Sequence, residues 1–176
     1  MNDNIIINEH IFSKLFSAEE LDEICTKLFR QLYKDYKDKE VVFLVVLNGA
    51  YVFATDLLRK FPRPVSIQTI KVSSYSGMER GELVFETLPK NLSGKNVVVI
   101  EDILDTGVTM QGILDYLNKQ GVNSVEVCTL FLKPGSFKGQ YPVRYVGKEI
   151  GDEFIVGYGF DIDGFGRNLP CVYQKL

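Results

Sequence analysis

The chain has 176 residues, 45% of them hydrophobic, with 20 Lys and Arg against 23 Asp and Glu for a net charge of −3. That length supports a single domain with a sizeable core. The charge balance argues against a protein whose main task is gripping nucleic acid, and no apolar run approaches the roughly 20 residues of a membrane span. Met1 to His10 carries two acids and no basic stretch, so no secretory signal is expected. Cys25, Cys128 and Cys171 are widely separated, odd in number and without a Cys-x-x-Cys pair. They fit reduced core thiols in a cytoplasmic protein. His10 is the only histidine, so a zinc site or a His-based triad lacks partners. Any metal here should be a hard cation on carboxylates.

In chain order, Ser17-Ala18-Glu19-Glu20 is a capping box. Leu21, Ile24, Cys25, Leu28 and Leu32 follow at helical spacing, which predicts an amphipathic helix over 18–36 that covers a sheet. Val41 to Leu47 is wholly apolar and predicts the first central strand. Asn48-Gly49 ends it, and Ala50 to Lys60 predicts a helix closed by Phe61-Pro62. Taken alone, Asn48-Gly49 is also an ordinary tight turn. Val65 to Val72 predicts another strand. A hydroxyl- and glycine-rich connection, Ser73 to Gly81, leads to a short strand at Glu82 to Glu86. That connection reads either as a solvated hairpin tip or as a lid over a reacting centre.

Leu92 to Asn96 is a turn into the most informative stretch, Val97-Val98-Val99-Ile100-Glu101-Asp102-Ile103-Leu104-Asp105-Thr106-Gly107-Val108-Thr109. Four β-branched residues predict a buried central strand. Glu101 and Asp102 stand where that strand should end. Asp105-Thr106-Gly107 reads as a turn, and Thr109 falls near the start of a helix running to Gln120, with Gly121 as its C′ residue. In an open α/β sheet, ligands bind at the carboxyl ends of strands. A helix N-terminus with nearby hydroxyls favours phosphate, and neighbouring acids bond a vicinal diol and help hold Mg²⁺. The pattern fits a sugar phosphate site. An acidic strand-to-helix connection with an ordinary N-cap is the plainer alternative.

Ser124 to Leu132 predicts the next strand, ending at Lys133-Pro134-Gly135. Lys133 there is either a surface charge or a ligand contact. The last third is rich in glycine and aromatics, yet neither Gly157-x-Gly159 nor Gly164-x-Gly166 completes a dinucleotide fingerprint. Phe154 and Phe160, seen alone, read as core. Asp161 and Arg167 flank an irregular segment where a carboxylate and a guanidinium could meet a pyrophosphate and its Mg²⁺.

Glu101-Asp102-Ile103-Leu104-Asp105-Thr106-Gly107-Val108-Thr109, after an apolar strand, resembles the phosphoribosyl pyrophosphate (PRPP) signature of type I phosphoribosyltransferases. Within that group the chain resembles hypoxanthine-guanine phosphoribosyltransferases, from about Val41 to Tyr173. The resemblance implies an α/β fold: a mostly parallel central sheet flanked by helices, with a small hood formed by the terminal segments and a flexible hairpin loop. It implies that Glu101 and Asp102 hold the ribose diol and help bind metal. Thr106, Gly107, Val108 and Thr109 cradle the 5′-phosphate, and Asp105 lies beside N7 of the base as general base or anchor. It places Asn48 and Gly49, with a non-proline cis peptide at Leu47-Asn48, against the pyrophosphate, together with Arg167. Ser74 and Tyr75 match the Ser-Tyr pair of the flexible loop. Lys133 donates to the exocyclic oxygen at C6 of the purine, Phe154 stacks on it, Ile155 presents backbone groups to its edge, and Asp161 serves the purine site and a metal. Many relatives carry Lys at the positions of Asn48 and Val108. The backbone contacts survive both departures, and any ammonium contact is lost.

The expected activity is transfer of the phosphoribosyl group of PRPP to hypoxanthine, and guanine, with Mg²⁺ as cofactor. The expected partners are PRPP and a 6-oxopurine, with no nucleic acid and no membrane, in a homodimer or homotetramer. The rival from another class is a nucleotide-responsive regulator that uses the PRPP site as a sensor and grips RNA through a basic face. The −3 balance, Asp105 and Lys133 favour the enzyme. An enzyme acting on xanthine, adenine or uracil is the nearer rival.

Overall fold

The computed structural model describes residues 4–74 and 83–176. In chain order the elements are β1 (Asn4–Ile7), β2 (His10–Phe16), α1 (Ala18–Tyr36), β3 (Val41–Leu47), α2 (Tyr51–Leu58), β4 (Ser66–Ser74) and β5 (Leu83–Thr87). They continue with β6 (Asn96–Leu104), α3 (Val108–Lys119), β7 (Ser124–Leu132), β8 (Tyr145–Glu149), β9 (Ile155–Val156) and β10 (Val172–Lys175). Six strands form the central sheet in the order β5-β4-β3-β6-β7-β8. All its pairings are parallel except β4 with β5.

The unbroken apolar runs have a direct cause. Strand side chains alternate between faces, and both faces of this sheet are covered. Phe43, Val45, Val98, Ile100, Cys128 and Leu130 pack with Leu21, Cys25, Leu28 and Leu32 of α1 and Phe53, Ala54 and Leu57 of α2. Val42, Leu44, Val46, Val97, Val99 and Val127 pack on Met110, Ile113, Leu114 and Leu117 of α3. A second sheet, ordered β1-β2-β10-β9, joins both ends of the chain around Phe12, Val156 and Tyr173. It is the hood that the resemblance implies. The residue pattern alone does not predict its strands, or β8, because β1, β8, β9 and β10 run for five residues or fewer and β2 interrupts its apolar residues with Ser13 and Lys14 out of strict alternation.

The strand order positions the site. From β3 the chain passes through α2 to β4 on one side. It returns to β6 on the other side of β3 and continues through α3 to β7. The loops leaving β3 and β6 therefore diverge to opposite faces, and a crevice opens between them. The register sharpens this. The β3–β6 pairing ends at Val45 with Ile100, whereas the β6–β7 pairing runs on to Leu104 with Leu132. Glu101 and Asp102 thus do not end the strand, as their polarity suggests. The ladder to β7 carries β6 past them, while the β3 side falls open.

The remaining boundaries agree with the patterns within a few residues. Helix α2 starts one residue late and stops at Leu58, where the N–H groups of Lys60 and Phe61 turn back to Leu57 and Leu58. Helix α3 starts at Val108 rather than Thr109. Gly121, with φ of 69°, follows its C-cap as expected. The capping box is formed in full: Glu20 N–H donates to Ser17 Oγ at 3.2 Å, and Ser17 N–H donates to Glu20 Oε2 at 2.8 Å. Ser17→Ala should cost about 1 kcal/mol, seen in urea unfolding as a lowered midpoint with an unchanged slope.

Candidate active site

The crevice at the carboxyl ends of β3 and β6 is a cleft of about 290 Å³ lined by Leu47, Gly49, Glu101, Asp102, Asp105, Thr106, Gly107 and Thr109, among others. Residues from two separate loops thus meet in one place. Glu101 and Asp102 are 8% and 9% exposed. Glu101 Oε1 accepts from Asp102 N–H at 3.2 Å, and Asp102 Oδ1 accepts from Ile103 N–H at 2.9 Å. Burial pushes Glu101 well above the usual carboxylate range, with the neighbouring Asp102 charge adding to it. Burial raises Asp102 as well, against its bonds from Glu101 and Ile103 and the pull of the Arg167 guanidinium. Two buried acids side by side do not both ionise without a cation or a set of donors between them.

That donor chemistry fits Mg²⁺. Among the described residues no three His, Cys, Asp or Glu converge into an all-protein cage. Mg²⁺ is commonly held by one or two carboxylates together with substrate phosphates, and Glu101 with Asp102 can supply that protein share. Asp161 is engaged elsewhere. It pairs with Arg167 Nη2 at 2.5 Å and accepts from Gly164 N–H at 2.7 Å.

The Thr106–Thr109 turn leads into α3 through Gly107, whose φ is 82°. No side-chain cap hydrogen bond closes this helix at Gly107. The turn is buttressed from behind. Tyr141 O–H donates to Gly107 O at 3.1 Å, and Lys138 N–H donates to Thr106 O at 3.1 Å. A Cβ on Gly107 would lie 2.7 Å from the Phe137 ring. Burial, and the charge of Glu101, push the Tyr141 phenol up to about 12, so it remains a donor at neutral pH. Sequence reasoning missed Phe137 and Tyr141, because nothing in their spacing ties them to a turn some thirty residues upstream. Val108 is 59% exposed and does not line the cleft.

The peptide bond Leu47–Asn48 is cis, as the resemblance implies. A Cβ on Gly49 would run into Asp102 Oδ2, so a side chain there would displace that carboxylate. Gly159 admits no side chain, since its Cβ would run into Gly49 O. Arg167 is anchored on this stack, its Nη1 donating to Gly159 O at 2.7 Å. Beyond the cleft, buried Lys133 holds its Nζ 3.5 Å from Asp105 Oδ2. Phe160 is core, stacked on Phe131 at 5.8 Å between centroids. Phe154 is not core. Its ring is 48% exposed, tilted 6.5 Å from Phe12, while Ile155 beside it is buried in β9. Ser74 ends β4, and Tyr75 lies outside the described residues.

Residues 14–163 match the family model of the phosphoribosyl transferase domain. The chain belongs to the phosphoribosyl transferase family. The hypoxanthine-guanine phosphoribosyltransferase of Staphylococcus aureus strain Mu50 is 40% identical over 161 residues, 90% of each chain. The crystal structure of a hypoxanthine-guanine phosphoribosyltransferase from Bacillus anthracis, with a HEPES molecule in the active site, superposes with a TM-score of 0.88 at 37% identity. It covers 93% of this chain and 98% of that one. A mutant hypoxanthine phosphoribosyltransferase from Trypanosoma cruzi, in a ternary substrates complex, superposes with a TM-score of 0.86 at 26% identity, covering 93% and 94%. The mostly parallel sheet flanked by helices is the fold of these relatives.

The buried acid pair has a signature in stability. The ordinary carboxyl value is 4.5, and the folded protein raises Glu101 above it. Between those two values the folded chain keeps a proton that the unfolded chain has released. The favourable contribution is therefore complete below about 4.5 and is lost as pH rises through the folded value. In metal-free protein, Glu101→Gln should flatten this fall and exceed wild type in stability at the alkaline end. Urea midpoints in chelator from about pH 4 to about pH 8 check it; parallel curves for the two proteins would contradict it.

Proposed function

We propose that this protein is a purine salvage enzyme that transfers the 5-phosphoribosyl group of PRPP to N9 of hypoxanthine, and of guanine, releasing pyrophosphate. One observation carries the choice of base: the 3.5 Å pair of Lys133 Nζ and Asp105 Oδ2. In a 6-oxopurine, O6 and N7 lie on the same edge. An ammonium beside a carboxylate matches that edge, donating to O6 and accepting from N7–H. Adenine presents an amino group there, which cannot accept from the ammonium.

In the transfer, the bond from C1′ to the pyrophosphate oxygen breaks, the bond from C1′ to N9 forms, and the purine gives up a proton. Asp105 is positioned to take or anchor that proton. The sugar ring carries positive charge in between, as in glycoside chemistry. Glu101 and Asp102 hold the ribose diol, and their negative charge favours that cationic ring. Thr106, Gly107, Val108 and Thr109 take the 5′-phosphate through backbone N–H groups and hydroxyls. Asn48 and Gly49 meet the pyrophosphate through their backbone, with Arg167 as its cationic contact. Phe154 stacks on the purine, Ile155 and Asp161 border its edge, and Ser74 and Tyr75 belong to the loop that shields the reacting centre from water. Mg²⁺, when bound, supplies charge neutralisation for the leaving pyrophosphate, held through Glu101, Asp102 and, in our reading, Asp161. We read residues 1–176 as one such domain working in the cytoplasm as a homodimer or homotetramer. Among the described residues no helix is long and apolar enough to cross a membrane.

Purified protein offered PRPP, Mg²⁺ and each of hypoxanthine, guanine, xanthine, adenine and uracil should form inosine and guanosine monophosphates, and chelation should stop the reaction. Absence of every nucleotide product, with PRPP still bound, would favour a sensor instead. Asp105→Asn should lower kcat by about 100-fold or more while changing the KM for PRPP far less. Equal losses in both would remove the general-base role.

A further inference from the structure

Tyr158 sits between Gly157 and Gly159, and all three residues have positive φ: 96° at Gly157, 52° at Tyr158 and 109° at Gly159. A tyrosine is held in this region only when its surroundings over-determine it. Backbone bonds do part of that. Tyr158 N–H donates to Leu169 O at 2.8 Å, Gly159 N–H donates to Arg167 O at 3.0 Å, and Gly157 and Phe160 exchange bonds at 3.0 Å. The side chain does the rest. The Tyr158 ring is 5% exposed, within the core shared by α1 and α2. Its hydroxyl donates to Asp56 Oδ2 of α2 at 2.8 Å and lies 3.4 Å from Cys25 Sγ of α1.

The two ends of this small turn do different things. Through Tyr158 it is bolted to α2, the helix that starts immediately after the Asn48–Gly49 loop. Through Gly159 it presses on Gly49 O, with no room for a Cβ, and offers its own carbonyl to Arg167 Nη1 at 2.7 Å. Gly49 in turn abuts Asp102. The distance between α2 and the turn therefore sets where Gly49 and Arg167 stand. The Lys133–Asp105 pair is carried by other segments, the end of β7 and the turn after β6.

We propose that Tyr158 and Asp56 are positioning residues: their hydrogen bond fixes the pyrophosphate contacts, Gly49 and Arg167, and leaves the Lys133–Asp105 pair that faces the purine untouched. The proposal rests on the phosphoribosyl transfer reading for the identity of that ligand. Neither residue touches substrate. The hydroxyl is the decisive atom, since a phenyl ring would fill the same volume. Burial and its two partners hold the phenol far above its ordinary value, so the bond persists across the working pH range.

The test is calorimetric titration of pyrophosphate with Mg²⁺ into the full-length wild type, Tyr158→Phe, Asp56→Asn and the double variant, paired with steady-state kinetics. Each single variant should weaken pyrophosphate and raise the KM for PRPP by about tenfold, the loss expected from one hydrogen bond to a charged group. The KM for hypoxanthine should stay within about twofold. The double variant should be no worse than the singles, because both remove the same bond. Unchanged pyrophosphate affinity in Tyr158→Phe, or equal losses toward pyrophosphate and hypoxanthine as general loosening would give, overturns the proposal. Should Asp56→Asn fail to fold, Tyr158→Phe decides alone. A wild type that binds pyrophosphate yet converts no base overturns the functional reading while leaving the binding comparison decisive.

Discussion

The site depends on a close approach of three segments. A Cβ on Gly159 would run into the Gly49 carbonyl, and one on Gly49 would run into the Asp102 carboxylate. This contact joins the loop after β3, the end of β6 and the segment before β10, three parts of the chain with no local reason to meet. It also brings the Arg167 guanidinium to bear on Asp102, through a bond to the Gly159 carbonyl. A side chain at Gly159 would push it off the Gly49 carbonyl, and one at Gly49 would displace the Asp102 carboxylate from the crevice.

Around that contact the molecule divides its work. The central sheet supplies rigid strand ends. Its two apolar faces, one on α1 and α2 and the other on α3, bind β3, β6 and β7 firmly, which lets the strand ends carry groups at a cost in stability. Glu101 and Asp102 are that cost: burial holds both acids toward the protonated form, with the Asp102 charge adding to it at Glu101. Beside the smaller sheet, next to β9, the Phe154 ring stands exposed near Phe12. The Lys133–Asp105 pair comes from the end of β7 and the turn after β6. The acids that suit a sugar diol and the pair that suits a purine edge are thus held on adjoining strands of one sheet.

The phosphate turn shows how support arrives from outside the motif. Gly107 needs its left-handed conformation, and Tyr141 and Lys138 hold the carbonyls of Gly107 and Thr106 from behind.

Much of this was legible in the residues. The unbroken apolar runs at Val41–Leu47 and Val97–Ile100 identify strands covered on both faces, because only burial on both sides removes the polar alternation. The capping box marks the start of α1, and the acids followed by Asp105-Thr106-Gly107 mark a ligand site, because chemistry is concentrated there within a few residues. Other features were illegible for a common reason, that they depend on pairing over long sequence separations. Only the ladder to β7 decides that β6 runs on past Glu101 and Asp102. Only pairing between segments near the two ends of the chain makes strands of stretches as short as Asn4–Ile7, Ile155–Val156 and Val172–Lys175. Phe154 and Phe160 look alike as sequence, but packing makes one core and leaves the other exposed. Tyr141 behind Gly107, Tyr158 on Asp56 and the glycines on Asp102 are likewise tertiary facts. The sequence by itself determined the layers, the central strands and the chemical groups of the site, since these follow from local periodicity and residue type. The tertiary structure decided which groups face one another and at what distance, since that is settled by close packing between segments far apart in the chain.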